Sequence, residues 1–133
     1  MLKAQIRKRL GELSLSIDLS VAKGITVLRG ESGSGKTTIA NLLSGALKPD
    51  EGEIELEGRS VFSTARSINL APEARGIGFV FQTARLLPHL SVEENIRFPQ
   101  TAGRRRPRVD FAEVVEILGL ERLLHRHPGS LSG

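Results

Sequence analysis

Nine consecutive residues combine glycine, lysine and threonine at a spacing suited to holding a phosphate group. They read Gly-Glu-Ser-Gly-Ser-Gly-Lys-Thr-Thr over positions 30–38 and match the pattern G-x-x-x-x-G-K-[ST]. The three glycines allow the backbone to turn tightly and to aim its N–H groups at an anion. Lys36 can reach the β- and γ-phosphates of a nucleotide, and the Thr37 hydroxyl can ligate Mg²⁺. The stretch predicts a phosphate-binding loop.

The segments on either side of this loop favour a strand before it and a helix after it. Ile25-Thr26-Val27-Leu28 is a short apolar run rich in β-branched residues, which predicts a strand. Residues 35–47 have the pattern of a helix. A strand that leads through a glycine loop into a helix places phosphate at the helix N-terminus, where backbone N–H groups are available. The context therefore strengthens the prediction of nucleotide binding.

Four further stretches predict strands. Residues 4–9 and 13–19 alternate between apolar and polar side chains, which indicates an antiparallel pair with a turn near Gly11. Residues 53–57 alternate again and carry three glutamates, which we interpret as the solvated face of a strand rather than as a metal site. Residues 76–81 are apolar and predict a strand that ends at Gln82.

The last third of the sequence favours helices. Ser91 and Glu94 form a capping-box pattern in front of a short helix. Asp110 can cap a second helix, which Gly119 would end. The predicted order is an antiparallel β layer, a nucleotide-binding α/β core and a helical piece.

Composition limits the classes of protein that fit. The 133 residues include 39% hydrophobic and 26% charged residues, as in ordinary globular proteins, and no cysteine, which excludes disulfides and thiolate metal sites. No apolar run approaches the roughly 20 residues that span a bilayer, and the N-terminus lacks a signal-peptide pattern. These features predict a cytoplasmic protein.

Basic residues and histidines offer further, weaker signals. The arginine run at 104–108 is interpreted as a solvated linker, with membrane headgroups or nucleic acid as the alternative. Aromatic residues make up 4% of the chain and all are Phe, so we expect no nucleic-acid partner. His89, His125 and His127 have no cysteine or carboxylate partners at ligand spacing and are interpreted as surface residues.

Several motifs together resemble an ATP-binding-cassette (ABC) transporter ATPase. They are the loop at 30–38, Gln82 after an apolar stretch, Leu-Pro-His-Leu at 87–90, and Leu-Ser-Gly at 131–133, which is similar to the start of the signature L-S-G-G-Q. Within that family, residues 70–75, 81–86 and 127–130 resemble the ATPases of molybdate importers. The resemblance extends over the whole chain but corresponds to only somewhat more than half of a typical cassette.

The resemblance implies a role for each matching residue. Lys36 would clamp the phosphates, and Thr37 would bind Mg²⁺. Gln82 would contact Mg²⁺ or the attacking water, which makes Gln82 and Lys36 the implied catalytic residues. Ser132 and Gly133 would contact the γ-phosphate of ATP held by a second cassette in a head-to-tail dimer. The loop residues implied to bind ATP are Gly30, Glu31, Ser32, Gly33, Ser34, Gly35, Lys36, Thr37 and Thr38.

The resemblance also implies an architecture and a set of partners. The fold would be α/β, a P-loop NTPase cassette core with an N-terminal antiparallel β subdomain over residues 1–90 and the start of a helical subdomain over residues 91–133. Transmembrane permease subunits would dock on Gln82–Leu90, and a periplasmic or extracellular binding protein would act indirectly. The subunit would lie on the inner face of the plasma membrane and drive import of molybdate or a similar oxyanion.

Two departures from the family pattern bear on activity. Leu10 stands near the position where cassettes usually stack adenine on an aromatic ring. The remaining family motifs, which follow the signature and include a catalytic Glu, do not occur in these 133 residues. We therefore expect this chain to bind ATP without hydrolysing it.

Three other interpretations were weighed. A small GTPase or nucleoside kinase is disfavoured because neither D-x-x-G nor N-K-x-D follows the loop. A non-transport ABC ATPase of the DNA-repair or chromosome-associated type stays open, although the long insertions usual before its signature do not occur here. An inactive truncated fragment also stays open.

Overall fold

Five antiparallel strands form one sheet. They are β1 (Leu2–Leu10), β2 (Leu13–Val21), β3 (Glu51–Leu56), β4 (Arg59–Ser63) and β5 (Ile68–Asn69). Their order across the sheet is β2-β1-β3-β4-β5. The helices are α1 (Lys36–Ser44), α2 (Pro72–Arg75), α3 (Val92–Ala102) and α4 (Phe111–Leu118), and a 3₁₀ turn covers Pro128–Ser130.

The structure is a computed structural model that describes residues 1–81, 85–102 and 109–131, with only the backbone described over 99–102. The chain divides into two units, Met1–Val80 and Phe81–Gly133. The first unit contains the five strands with α1 and α2, and the second contains α3, α4 and the 3₁₀ turn. Over the described ranges, no helix has the length and apolar character needed to cross a membrane.

The predicted hairpin of β1 and β2 is confirmed. Leu10 pairs with Leu13 across the turn at residues 11–12, and the pairing continues to Leu2 and Val21. One face of the sheet packs on α1, because alternation places small and apolar side chains on that side. The buried core residues of this unit are Ala4, Ile6, Leu42, Ile54, Val61 and Phe62.

The pairing of β1 with β3 depends on a glycine. Gly52 lies opposite Ile6 with φ 106°, a conformation that side chains disfavour. A Cβ atom at this position would lie 1.9 Å from the Gln5 carbonyl oxygen and 2.8 Å from Ile6 Cα. The Gly52 N–H donates to Thr64 Oγ1 at 2.7 Å, and that hydroxyl donates back to the Gly52 carbonyl at 3.0 Å. Only glycine allows this approach of the two backbones.

The polar face of the sheet carries the glutamates of β3. Glu53 accepts hydrogen bonds from Arg66 and from the Ser60 hydroxyl, and Glu51 lies 3.8 Å from Arg7. No group of three or more acidic or histidine side chains arranged for a metal ion is present among the described residues. Glu51 and Glu53 are exposed, so the strand carries them on the solvated face that the alternation predicts.

Two predicted strands are wrong. Residues 25–28 and 76–81 lie outside the strands of the structure. Several of their apolar side chains face solvent, with Ile25 98%, Val27 73% and Val80 97% exposed, whereas Ile77 and Phe79 are half-buried. Alternation and β-branching show that a segment suits a sheet, but a strand exists only when a neighbouring strand pairs with its backbone. Other segments form the sheet of this chain, and two of its strands, β4 and β5, were not predicted.

The helix after the loop is shorter than the predicted range 35–47. It ends at Ser44 because Gly45 takes φ 88°, and the N–H groups of Gly45 and Leu47 both donate to the Asn41 carbonyl at 3.1 and 3.0 Å. The bond from the left-handed Gly45 is the one by which a glycine commonly closes a helix C-terminus. Residues 45–47 belong to the turn that follows.

The predicted helix caps in the second unit are confirmed. The Ser91 N–H donates to Glu94 Oε2 at 2.7 Å, and the Glu94 N–H donates to Ser91 Oγ at 3.2 Å. The hydrogen bond from the Ser91 backbone, followed by that from its side chain, lowers the pKa of Glu94 below its ordinary value. Asp110 Oδ2 accepts from the Ala112 N–H at 3.0 Å, and Gly119 ends α4 with φ 62°.

Candidate functional site

The phosphate-binding loop meets α1 at a helix N-terminus that can receive an anion. Gly33 and Gly35 have φ of 82° and 89°, which turn the loop into the helix. The first helical hydrogen bond runs from the Ile39 N–H to the Gly35 carbonyl at 2.9 Å. No side chain in the described part of the chain caps this helix start. The N–H groups of the first turn therefore point outward, toward a position that phosphate oxygens can occupy.

Lys36 brings a positive charge to the same place. Its Nζ donates to the carbonyls of Gly30 at 2.9 Å and Glu31 at 2.6 Å, and lies 3.3 Å from Ser34 Oγ. These neutral acceptors hold the ammonium group over the loop without cancelling its charge. A charge held at a helix N-terminus adds to the positive end of the helix dipole. The arrangement suits a nucleotide polyphosphate.

Two contacts set the shape of the loop. A Cβ atom at Gly35 would lie 3.0 Å from Cδ2 of Leu15, so strand β2 packs directly under the start of α1. A Cβ atom at Gly30 would lie 2.7 Å from Ser34 Oγ, so the middle of the loop folds back onto its first residue. The predicted hairpin thus supports the predicted loop, although the sequence alone does not reveal that Leu15 makes this contact.

The residues present also fit Mg²⁺. Thr37 is exposed at the second position of α1, where its hydroxyl can reach a metal ion that bridges the phosphates. Mg²⁺ keeps several waters and needs few protein ligands when phosphate oxygens supply the rest. A single hydroxyl is therefore a sufficient protein contribution at this position.

The C-terminal end of α1 is held by a residue that the sequence analysis did not single out. Arg75, at the end of α2, is 5% exposed, and its guanidinium donates to the carbonyls of Leu42 and Leu43 at 3.0 and 2.9 Å. It also donates to the Leu70 carbonyl at 3.0 Å. An arginine directly before a glycine is an ordinary pattern at a helix end, so nothing in the sequence marks this one as buried.

Three of the predicted site residues, Gln82, Ser132 and Gly133, lie outside the described residues. The segment that follows Gln82 is described from Arg85, whose guanidinium carbon lies 4.4 Å from the centre of the Phe81 ring. Asn95 fixes the rest of this segment to α3. Its Oδ1 accepts from the Leu87 N–H at 2.8 Å, and its Nδ2 donates to the Leu87 and Leu90 carbonyls, each at 3.1 Å.

An apolar cavity of about 250 Å³ lies beside this segment within the second unit. Leu86, 45% exposed, lines it from the segment. The other lining residues are Val92, Asn95, Ile96, Leu120, Leu123 and Leu131. The segment 85–90 therefore has a backbone held by Asn95 at Leu87 and Leu90, and an exposed apolar side chain at Leu86.

Known proteins similar in sequence are subunits of transporters. The model of the ABC transporter family matches residues 14–133. The molybdenum import ATP-binding protein ModC of Paramagnetospirillum magneticum is 47% identical over the whole of this chain, and that of Mannheimia succiniciproducens is 46% identical. The chain spans 37% of the length of each of these two proteins.

Solved structures of cassettes share the fold. The dimeric bacterial ABC transporter cassette MJ0796 has a TM-score of 0.74 and 29% identity, covering 100% of this chain and 64% of the cassette. A dimeric post-hydrolysis state of MJ0796 bound to ADP and phosphate has a TM-score of 0.73 and 28% identity, covering 99% of this chain and 63% of the cassette. The chain belongs to the ABC transporter family, and its sheet, loop and α1 are part of an ABC ATP-binding cassette.

Proposed function

We propose that this chain is part of the ATP-binding subunit of an ABC importer and that its loop at 30–38 binds Mg-ATP. One observation carries the proposal: the uncapped N-terminus of α1 and the Lys36 ammonium converge on the same loop. Both are positive, and both are held in place by the fold before any nucleotide binds. Sites of this kind stabilise the charge of a polyphosphate without reorganisation.

Each loop residue has a part in this proposal. The backbone N–H groups from Gly33 to Thr38 bind phosphate oxygens, and Lys36 clamps the β- and γ-phosphates. The Thr37 hydroxyl holds Mg²⁺, which supplies further neutralising charge when bound. Gln82 positions Mg²⁺ or water, and Ser132 and Gly133 contact ATP held by a second subunit. These last three roles rest on the matching family motif.

We also propose that the 133 residues bind ATP without hydrolysing it. Attack of water on the γ-phosphate needs a group that orients the water and accepts its proton. The carboxylate directly before β3 has other partners: Asp50 accepts from Lys8 and from the Arg9 N–H, at 2.6 and 2.8 Å. Glu31 lies in the loop itself, where its carbonyl accepts from Lys36.

The transported substrate and the partners form the remaining part of the proposal. ModC proteins, named for molybdenum import, are 41–48% identical to this chain, so we propose molybdate or a similar oxyanion as the cargo. Permease subunits dock on Gln82–Leu90, and a second ATPase subunit completes the ATP site. The same proposal includes a division into an ATP-binding part, 1–90, and a helical part, 91–133. It also includes a location at the inner face of the plasma membrane.

Replacing Lys36 with alanine tests nucleotide binding. The change removes the charge that clamps the phosphates but leaves the glycines and the helix N-terminus in place. We expect a loss of most Mg-ATP affinity, at least about 30-fold, since a charge-assisted contact contributes about 2 kcal/mol. Titration with a fluorescent ATP analogue would measure it. Equal affinity in both proteins would show that the loop is not the site.

Phosphate release tests the proposal on catalysis. The 133-residue chain should release inorganic phosphate from Mg-ATP no faster than its Lys36→Ala variant, because water is not positioned for attack. A phosphate-sensor assay over several hours would compare the two. Turnover that the substitution abolishes would mean that a carboxylate within the 133 residues is catalytic.

A further inference from the structure

A buried arginine in the first unit has hydrogen-bond partners other than a carboxylate. The Arg75 guanidinium donates to three backbone carbonyls and, at 3.2 Å, to Oδ1 of Asn69. No ion pair joins it to an acidic side chain among the described residues. Burial lowers its pKa, yet arginine keeps its charge at neutral pH. Burying a charge is costly, and here the hydrogen bonds to these oxygen atoms offset that cost.

Two of those oxygen atoms belong to the last turn of α1. The carbonyls at a helix C-terminus lack partners within the helix and carry partial negative charge. Arg75 Nη1 satisfies those of Leu42 and Leu43. Gly45, the next residue after the helix, leaves room for this contact, since a Cβ atom there would lie 2.6 Å from Arg75 Nε. The arginine thus fills the space that a side chain at position 45 would need.

The opposite end of α1 carries the phosphate-binding loop. A helix of nine residues is about 14 Å long, so a short hydrogen-bonded segment joins its two ends. Leu42 packs the helix on the core, and its N-terminal end lies against the side chain of Leu15. Two hydrogen bonds from the planar group of Arg75 hold its C-terminal end and add a directional contact to this apolar packing.

We propose that Arg75 is a positioning residue for the phosphate site. It holds α1 by its C-terminal carbonyls and so fixes the N–H groups and Lys36 at the far end, where they meet the nucleotide. The inference rests on the proposed binding of Mg-ATP at the loop. Arg75 does not touch the ligand, and its effect reaches the site through the helix.

The test compares Arg75→Met with Arg7→Met in the 133-residue chain. Both changes remove one positive charge, but the Arg7 side chain is 75% exposed on the sheet surface. Mg-ATP affinity is measured at 10 °C in variants whose circular dichroism matches the unaltered chain. We expect about tenfold weaker binding for Arg75→Met, within the usual range of coupling through a packed element, and less than about twofold for Arg7→Met. A purely structural role would lower the melting temperature and leave the affinity of the folded protein unchanged.

Two milder variants keep the test decisive if Arg75→Met does not fold. Arg75→Lys retains the charge but not the planar fork, and it should recover part of the affinity. In Gly45→Ala the added Cβ atom displaces the guanidinium and the left-handed backbone at φ 88° is strained as well, so binding by the folded variant should weaken in the same direction. A third variant, Arg75→Ala, tests rescue by free guanidinium ion at about 10 mM, far below the molar range that unfolds proteins. The ion should restore affinity to Arg75→Ala and not to Lys36→Ala.

The outcomes separate the inference from the proposed function. If the unaltered chain does not bind Mg-ATP, the proposed function is wrong and the inference falls with it. If Lys36→Ala abolishes binding while folded Arg75→Lys and Gly45→Ala bind as tightly as the unaltered chain, the proposed function stands and the inference is overturned. Weaker binding by folded Arg75→Lys and Gly45→Ala, together with restored affinity of Arg75→Ala in guanidinium, supports the inference. Weaker binding with no such restoration overturns it.

Discussion

At the scale of single residues, Gly35 is the point where the loop, the helix and the sheet meet. Its φ of 89° is costly for any residue with a side chain, and an added Cβ atom would press on Leu15. We expect Gly35→Ala to lower the free energy of unfolding by about 1–2 kcal/mol and to weaken Mg-ATP binding, because the first-turn N–H groups would be displaced. Urea denaturation and nucleotide titration would measure the two effects.

A matched control for Gly35→Ala is Gly129→Ala in the 3₁₀ turn. Gly129 has no positive φ, and nothing lies within 4 Å of a Cβ atom placed there. Its replacement should leave both stability and nucleotide affinity nearly unchanged. Equal effects of the two substitutions would contradict the view that Gly35 is required for its backbone geometry.

Residue types predicted the loop well and the residues around it poorly. Lys36 and the glycines of the loop were singled out because their chemistry and spacing form a local pattern within nine consecutive residues. Arg75 was not found, because its role depends on carbonyls of α1 more than 30 residues earlier in the sequence. The Asn95 contacts with the segment 87–90 were missed as well, since an asparagine inside a helix gives no sign of its partners.

At the scale of elements, the capping box of α3 makes part of its stability depend on pH. Hydrogen bonds from Ser91 lower the pKa of Glu94, so its contribution is fully present above the ordinary glutamate pKa of about 4.3. The contribution is lost as the pH falls through the lowered pKa. We expect Glu94→Gln to remove this acid-dependent part, whereas Ser91→Ala should cost about 1 kcal/mol at pH 7. Urea midpoints at pH 7 and pH 3 would test both.

Whether a predicted element was confirmed depends on whether it is formed by neighbours in sequence or by a distant partner strand. The β1–β2 hairpin and the caps of α3 and α4 depend on neighbours in sequence, and all were confirmed. The strands predicted at 25–28 and 76–81 depend on a distant partner strand, and the structure pairs other segments. Strand β5 has only two residues, Ile68 and Asn69, which is too short for alternation to be recognised.

At the scale of the whole molecule, the exposed apolar residues of the first unit predict self-association. Ile25, Val27 and Val80 expose between 73% and 98% of their surface. Large exposed apolar side chains in extended segments favour contacts between chains. We expect concentration-dependent association that is reduced by Ile25→Lys or Val80→Lys, as measured by sedimentation velocity.

The control for association lies in the second unit. Ile117 in α4 is 71% exposed, and Ile117→Lys adds the same charge at a site outside these segments. It should reduce association less than Ile25→Lys does. A chain that stays monomeric at high concentration and melts sharply and reversibly would contradict the prediction.

The glycine in β3 has a consequence for how the sheet finds its alignment. If β3 slid by one residue along β1, Glu51 or Glu53 would take the place of Gly52 against the Gln5 carbonyl, and neither side chain could be accommodated there. A slipped pairing is therefore excluded by volume as well as by the inversion of apolar and polar faces that it would cause. Gly52 therefore restricts the strands that support the loop to one alignment.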